Sequence, residues 1–150
     1  MPTEYLLIDG KDKIMGRLAS QVAKLALLGK NVVVINAKDI VISGSKKNIF
    51  STYVQMKNRK TRSNPTRGPF FHRRPDALFR RTVRGMLPFK KPRGQEAYKR
   101  VHAYVNGVEK GKYPKLIPHE IPDVGLERLN GKYVTLEMVG ERFGWKNIES

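Results

Sequence analysis

The sequence predicts an α/β fold from three adjacent features: an apolar run at Tyr5-Leu6-Leu7-Ile8, apolar residues at helical spacing from Met15 to Leu25, and a β-branched run at Asn31-Val32-Val33-Val34-Ile35-Asn36. The first run is unbroken and ends at Asp9-Gly10, as expected of a strand covered on both faces. After a polar loop, Met15, Leu18, Val22 and Leu25 recur with Ala19, Ala23 and Ala26 beside them, and Gly29 is placed to end the helix. The second run is β-branched almost throughout, which suits a buried strand. Strand, helix, strand in this order implies a right-handed βαβ unit with parallel strands.

Ile40-Val41-Ile42 is a third short apolar run. Only Asn36 to Asp39 separate it from the second, too few residues for a normal parallel crossover. A hairpin and a short helical turn leading to a displaced strand are both open. Gly44-Ser45 then offers a helix start, with Ile49, Phe50, Tyr53, Val54 and Met56 as one broad apolar face. From Lys57 to Arg74 the periodicity disappears, and the Pro- and Gly-punctuated stretch reads as a long loop. Arg74-Pro75-Asp76 opens another helix. On it, Phe79, Val83 and Met86 form a docking face and Arg80, Arg81 and Arg84 the opposite side, with Gly85 and Pro88 stopping it. Lys90-Lys91-Pro92-Arg93-Gly94 reads as a second basic loop. Val101 to Val105 alternates as a strand should and is taken as the last of the sheet. Beyond Gly107, Pro114, Pro118 and Pro122 suggest an extended tail. Thr135 is placed to cap a short helix carrying Leu136, Val139 and Phe143, which Gly144 stops.

Charge narrows the function. The 150 residues carry 30 Lys+Arg against 13 Asp+Glu, a formal net charge of +17. Self-repulsion on that scale opposes compaction. A polyanionic partner accounts for it, because each neutralised phosphate releases a condensed counterion. Nucleic acid is the leading partner class, ahead of an anionic membrane surface. The charge is also localised: residues 57–100 hold 15 basic and 2 acidic side chains, whereas residues 101–150 hold 7 of each. The chain has no cysteine, which excludes disulfides and thiolate metal sites. No apolar run approaches the ~20 residues that span a bilayer. Met1-Pro2-Thr3-Glu4 is not the start of a secretory signal. A soluble, cytoplasmic protein is the expectation.

The middle segment carries the candidate site. Fifteen cations cannot be neutralised by two anions, and arginine's planar fork suits bidentate phosphate contact. The predicted RNA-contacting residues are Lys57, Arg59, Lys60, Arg62, Arg67, His72, Arg73, Arg74, Arg80, Arg81, Arg84, Lys90, Lys91 and Arg93, joined by Arg17 from the Asp9–Arg17 loop. Phe70, Phe71 and His72 invite stacking on unpaired bases; burial of the two rings against the body is the alternative. Gly10 to Arg17 matches neither the P-loop nor the dinucleotide fingerprint, so no nucleotide cofactor is expected. His72, His102 and His119 lack metal-like spacing, and no catalytic Ser/His/Asp set or carboxylate pair is recognisable. No cofactor, metal, catalytic residue or small-molecule substrate is predicted.

Several motifs in order resemble a known family. Ile8-Asp9-Gly10 is followed by Gly16-Arg17-Leu18-Ala19-Ser20, Val33-Val34-Ile35-Asn36-Ala37 and Ile42-Ser43-Gly44. Asn64-Pro65-Thr66-Arg67-Gly68-Pro69 then precedes Val83-Arg84-Gly85-Met86-Leu87-Pro88, Arg93-Gly94 and Val101 to Gly107. This succession resembles the large-subunit ribosomal protein L-thirteen family in its archaeal form, over roughly residues 5–107. The resemblance implies a three-layer α/β/α fold around a four-stranded, mainly parallel sheet, and argues against a simple hairpin at Ile40. It further implies a non-enzymatic constituent of the large ribosomal subunit that binds ribosomal RNA and supports early assembly. By motif match, Arg17, Arg67, Arg84 and Arg93 are its RNA contacts. The expected organisation is an α/β core domain over 1–107, carrying the basic insertion 57–100, with a C-terminal extension over 108–150 that meets neighbouring ribosomal proteins. Two rivals predict otherwise. An RNA-modifying or nucleotide-using enzyme on a Rossmann-like scaffold predicts turnover and a small-molecule ligand near Asp9–Arg17; a basic DNA-architectural protein predicts binding to duplex DNA as well as to RNA.

Overall fold

The computed structural model describes residues 3–60, 62–69 and 71–147. Its main sheet has four strands, β1 (Glu4–Asp9), β2 (Asn31–Ile35), β4 (Val101–Ala103) and β5 (Lys115–Pro118), in the order β4-β2-β1-β5 and all parallel. A second, two-stranded sheet pairs β3 (Val41–Ser43) antiparallel with β6 (Tyr133–Thr135). Five α-helices complete the described residues: α1 (Met15–Leu27), α2 (Lys46–Asn58), α3 (Pro75–Gly85), α4 (Pro92–Lys99) and α5 (Leu136–Arg142). The molecule is therefore α/β around a parallel four-stranded sheet, consistent with the three-layer α/β/α expectation.

The predicted βαβ unit is present. β1 pairs with β2 from Tyr5 opposite Asn31 to Asp9 opposite Ile35, and α1 lies between them in sequence. Helix α1 buries Leu18, Ala19, Val22, Ala23 and Ala26. It ends at a left-handed Gly29 (φ 91°), whose N–H donates to Ala26 while Lys30 N–H donates to Leu25. Only a residue without a Cβ enters that turn cheaply, so the helix stops there.

Successive strand residues point to opposite faces, and the two faces of this sheet are dressed differently. Ile8, Val32, Val34 and Val101 join Leu18 and Val22 of α1, Phe79 and Val83 of α3 and Ala97 of α4 in one hydrophobic cluster. On the opposite face Tyr5, His102 and Tyr113 form an aromatic group with centroids 4.7–6.2 Å apart, and the Tyr113 hydroxyl is hydrogen-bonded to Tyr104. Burial, then the charges of Arg80 and Lys112, holds the His102 imidazole below its ordinary value of 6.5.

Of the two readings open at Ile40-Val41-Ile42 the structure takes the second: a 3-10 turn over Ala37–Asp39, entered through a left-handed Asn36 (φ 56°), delivers β3 to the separate sheet. Four expectations are corrected. Val101 to Val105 is not the last strand, and the chain beyond Gly107 is not simply an extended tail. β5 continues the sheet beside β1, β6 partners β3, and Ile121, Val124, Val134, Leu136, Val139 and Phe143 enter the same hydrophobic cluster as Ile8 and Phe79. The second basic loop is shorter than expected, because Pro92 occupies the first turn of α4, where its missing N–H costs nothing. Gly94 is required in that turn, since a Cβ there would lie 2.0 Å from the Pro88 carbonyl oxygen. Finally, Met56 and Met86 are 42% and 43% exposed, and Leu78 takes the buried place beside Phe79 and Val83 expected of Met86.

The helix starts read at Ser45 and Thr135 are both capped as predicted. Ser45 Oγ accepts from Asn48 N–H at 3.3 Å to open α2. Thr135 Oγ1 accepts from Met138 N–H, also at 3.3 Å, to open α5, and Gly144 (φ 92°) follows its end.

Candidate nucleic-acid interface

Helix α2 runs to Asn58, so Lys57 is helical and the loop begins only at Arg59. A 3-10 turn at Pro65–Arg67 then reverses the chain, with Arg67 N–H donating to Asn64 and Gly68 N–H to Pro65. Phe71 anchors the return. Its ring meets Tyr53 at 5.8 Å and Phe143 at 5.1 Å, both edge-on, so it packs against the body while remaining only half-buried. Phe70 lies outside the described residues.

This framework leaves most of the predicted cations in solvent. Arg17, Lys57, Arg59, Lys60, Arg62, Arg67, Arg73, Arg74, Arg81, Lys90, Lys91 and Arg93 are exposed, as is His72. Among the described residues, the one ion pair made by any of them is Arg74 with Asp76, at 3.1 Å. The remaining charge has no ion-pair partner among the described residues.

The structure gathers three of these side chains in one groove and distributes the others. Arg59 from the end of α2, His72 from the loop and Arg81 from α3 line a groove of about 390 Å³ with Tyr53, Met56, Pro69, Phe71, Leu78 and Thr82. Burial raises the Tyr53 phenol above its usual value, so the groove floor stays uncharged. Arg93 lies apart, in a shallow depression with Ser20, Lys24, Leu28 and Met86. Arg74 faces a third hollow with Asp76, Tyr104 and Trp145. Lys57 holds its ammonium 5.0 Å from the Phe143 ring.

Two arginines expected on the outward face of α3 turn inward. Arg80 Nε donates to the Val101 carbonyl at 3.2 Å, and its guanidinium lies 4.6 Å from the Tyr98 ring. Arg84 stacks on Phe89 at 3.9 Å. Neighbouring helix positions differ by ~100°, so Arg81 faces the groove while Arg80 is carried toward β4. Lys24 was not anticipated beside Arg93. It sits in the last turn of α1, where a basic residue is accounted for by the helix dipole alone.

The Asp9–Arg17 loop offers no phosphate cradle. Gly10 N–H donates to Ile35, Lys11 to the Asp9 carboxylate, Asp12 to Asp39, Lys13 to Gly10 and Ile14 to Val124. The adjoining hollow sets the carboxylates of Asp9 and Glu120 against the ammonium groups of Lys11 and Lys13, so it offers an anion no excess of positive charge.

Sequence comparison supplies the lineage. The family model for Ribosomal protein L13 matches residues 3–110. The chain belongs to this family. Within the L13 family, the large ribosomal subunit protein uL13 of Methanocaldococcus jannaschii is 43% identical over 141 residues, covering 93% of this chain and 98% of the relative. That of Methanopyrus kandleri is 40% identical over 146 residues, 97% of this chain and 90% of the relative. The uL13 of Caenorhabditis elegans is 41% identical over 143 residues, 94% of this chain and 70% of the relative. The L13 family model ends close to Gly107, as the motif resemblance does, but these alignments continue through most of the C-terminal third.

Proposed function

We propose that this chain is a structural, non-catalytic constituent of the large ribosomal subunit, acting in the cytoplasm, which binds ribosomal RNA and supports early subunit assembly. The observation that carries this reading is the set of exposed, unneutralised cations on a member of the L13 family. Neutralising them requires many phosphates at once, and folded ribosomal RNA presents phosphates in that density. The RNA-facing surface comprises Arg17, Lys57, Arg59, Lys60, Arg62, Arg67, His72, Arg73, Arg74, Arg81, Lys90, Lys91 and Arg93, to which we add Lys24. The 1–107 portion supplies this surface. The 108–150 portion braces the core and contacts protein neighbours on its outer side, where Tyr133 and Met138 are 47% and 45% exposed.

Sedimentation tests the assignment. A tagged chain expressed in its own cells is expected to co-migrate with large subunits and to remain there after moderate salt washing. Migration with free protein overturns the reading.

Adjacent arginines separate contact from structure. Arg81→Ala is expected to weaken binding to large-subunit ribosomal RNA and to lower the salt slope by about one, with no change in stability. Arg80→Ala is expected to leave the slope unchanged and to destabilise the fold by about 1 kcal/mol or more, because a charged hydrogen bond to a backbone carbonyl is lost. Titrations at several salt concentrations, paired with urea denaturation, distinguish the two.

A further inference from the structure

The groove between α2, the loop before α3, and α3 itself has a composition that plain phosphate binding does not require. Its floor is apolar and aromatic, from Tyr53, Phe71 and Leu78, and its rim is cationic, from Arg59, His72 and Arg81. No carboxylate stands among its described lining residues. Met56 is 42% exposed at its edge, an apolar side chain left in water by the folded chain. Phe71 is held edge-on between Tyr53 and Phe143, at interplanar angles of 63° and 69°. The floor is thus positioned before any ligand arrives, which reduces the ordering cost of binding. At about 390 Å³ the groove lies at the small end of ligand pockets, which run from ~300 to ~1,000 Å³. That size suits one flat group rather than a helix.

We propose that this groove receives a single unstacked RNA nucleotide, its base against the Phe71–Met56–Tyr53 surface and its flanking phosphates on Arg59 and Arg81. The inference rests on the ribosomal-RNA reading and narrows it: this part of the surface selects a bulged or looped-out nucleotide over continuous duplex. The chemistry is that of single-strand recognition generally. Every base offers a π-face to an apolar or aromatic platform, and an arginine fork on either side fixes the backbone. A duplex cannot enter, because its bases are stacked and its phosphates alone reach the rim.

The test uses the full chain and two short RNA hairpins of equal charge, one fully paired and one carrying a single bulged uridine. The native chain is expected to bind the bulged hairpin about tenfold more tightly, the scale of one base–aromatic stack. Met56→Trp, which fills the groove mouth from an exposed position, is expected to abolish that preference while keeping salt-dependent affinity for the paired hairpin. Equal binding of both hairpins by the native chain, or a preference that survives Met56→Trp in a folded variant, overturns the proposal. Failure to bind either hairpin at low salt instead removes the RNA-binding reading on which it stands. Should Met56→Trp unfold, 4-thiouridine placed at the bulge decides with the native chain. Crosslinks to Tyr53, Met56, Phe71 or His72 are expected, and crosslinks confined to other segments refute the site.

Discussion

Truncation after Gly107 is expected to abolish the cooperative unfolding transition of the remaining chain. The deletion removes β5 from the edge of β1 and β6 from its pairing with β3. It also removes Ile121, Val124, Val134, Leu136, Val139 and Phe143, each no more than 9% exposed, from the hydrophobic cluster. Burial of a large apolar side chain contributes ~1.5–3 kcal/mol, so the loss is on the order of 10 kcal/mol. Domains of this size are stable by only ~5–15 kcal/mol in all. Backbone pairing is lost as well: Ile14 N–H donates to Val124 at 2.7 Å, Leu126 N–H to Asp12 at 2.8 Å and Leu136 N–H to Ile40 at 2.9 Å. Urea titration followed by circular dichroism is the measurement. A sharp transition in the 1–107 fragment near that of the full chain would refute the prediction.

The second large effect is electrostatic. Affinity for large-subunit ribosomal RNA is expected to fall on the order of a thousandfold or more between about 50 and 200 mM monovalent salt, as for a protein neutralising about eight phosphates. Eleven of the predicted cations, all but Arg74, Arg80 and Arg84, are exposed with no anionic partner among the described residues. About eight phosphates is therefore within reach of this surface without recruiting the inward-turned arginines. A flat salt response would contradict the reading and favour the enzymatic alternative, in which a small ligand is recognised by neutral contacts.

Local signals and long-range ones were unequally legible. The strand at Tyr5–Ile8, the helix through Leu18 and Val22, the strand at Asn31–Ile35 and the Thr135 cap are each written within a few consecutive residues, and each was readable. β5 was not. Lys115-Leu116-Ile117-Pro118 is short and follows Pro114, and proline argues against a central strand; the segment is accommodated because it lies at the sheet edge. α4 was hidden by a related ambiguity, since Pro92 and Gly94 mark a loop as readily as they mark the first turn of a helix. In the candidate interface, the density of cations could be counted directly. That Arg80 is drawn to Val101 while its neighbour Arg81 faces the groove depends on where β4 lies, which no pattern near residue 80 specifies. The exposure of Met56 and Met86 escaped for the same reason: helical spacing identifies a face but not how far the partner surface extends beneath it.

The pairing of β1 with β5 has a consequence for the chain while it is being made. Glu4 and Lys115 are neighbours in the finished sheet and 111 positions apart in sequence. At ~5–20 residues per second, roughly 5–20 s separate the emergence of the first strand from that of its partner. Throughout that interval one edge of β1 has no permanent neighbour, and before it closes the whole basic stretch from Lys57 to Arg100 has emerged. The nascent polypeptide thus displays its polycation before it has a closed scaffold, and the order of synthesis lets RNA encounter precede completion of the fold.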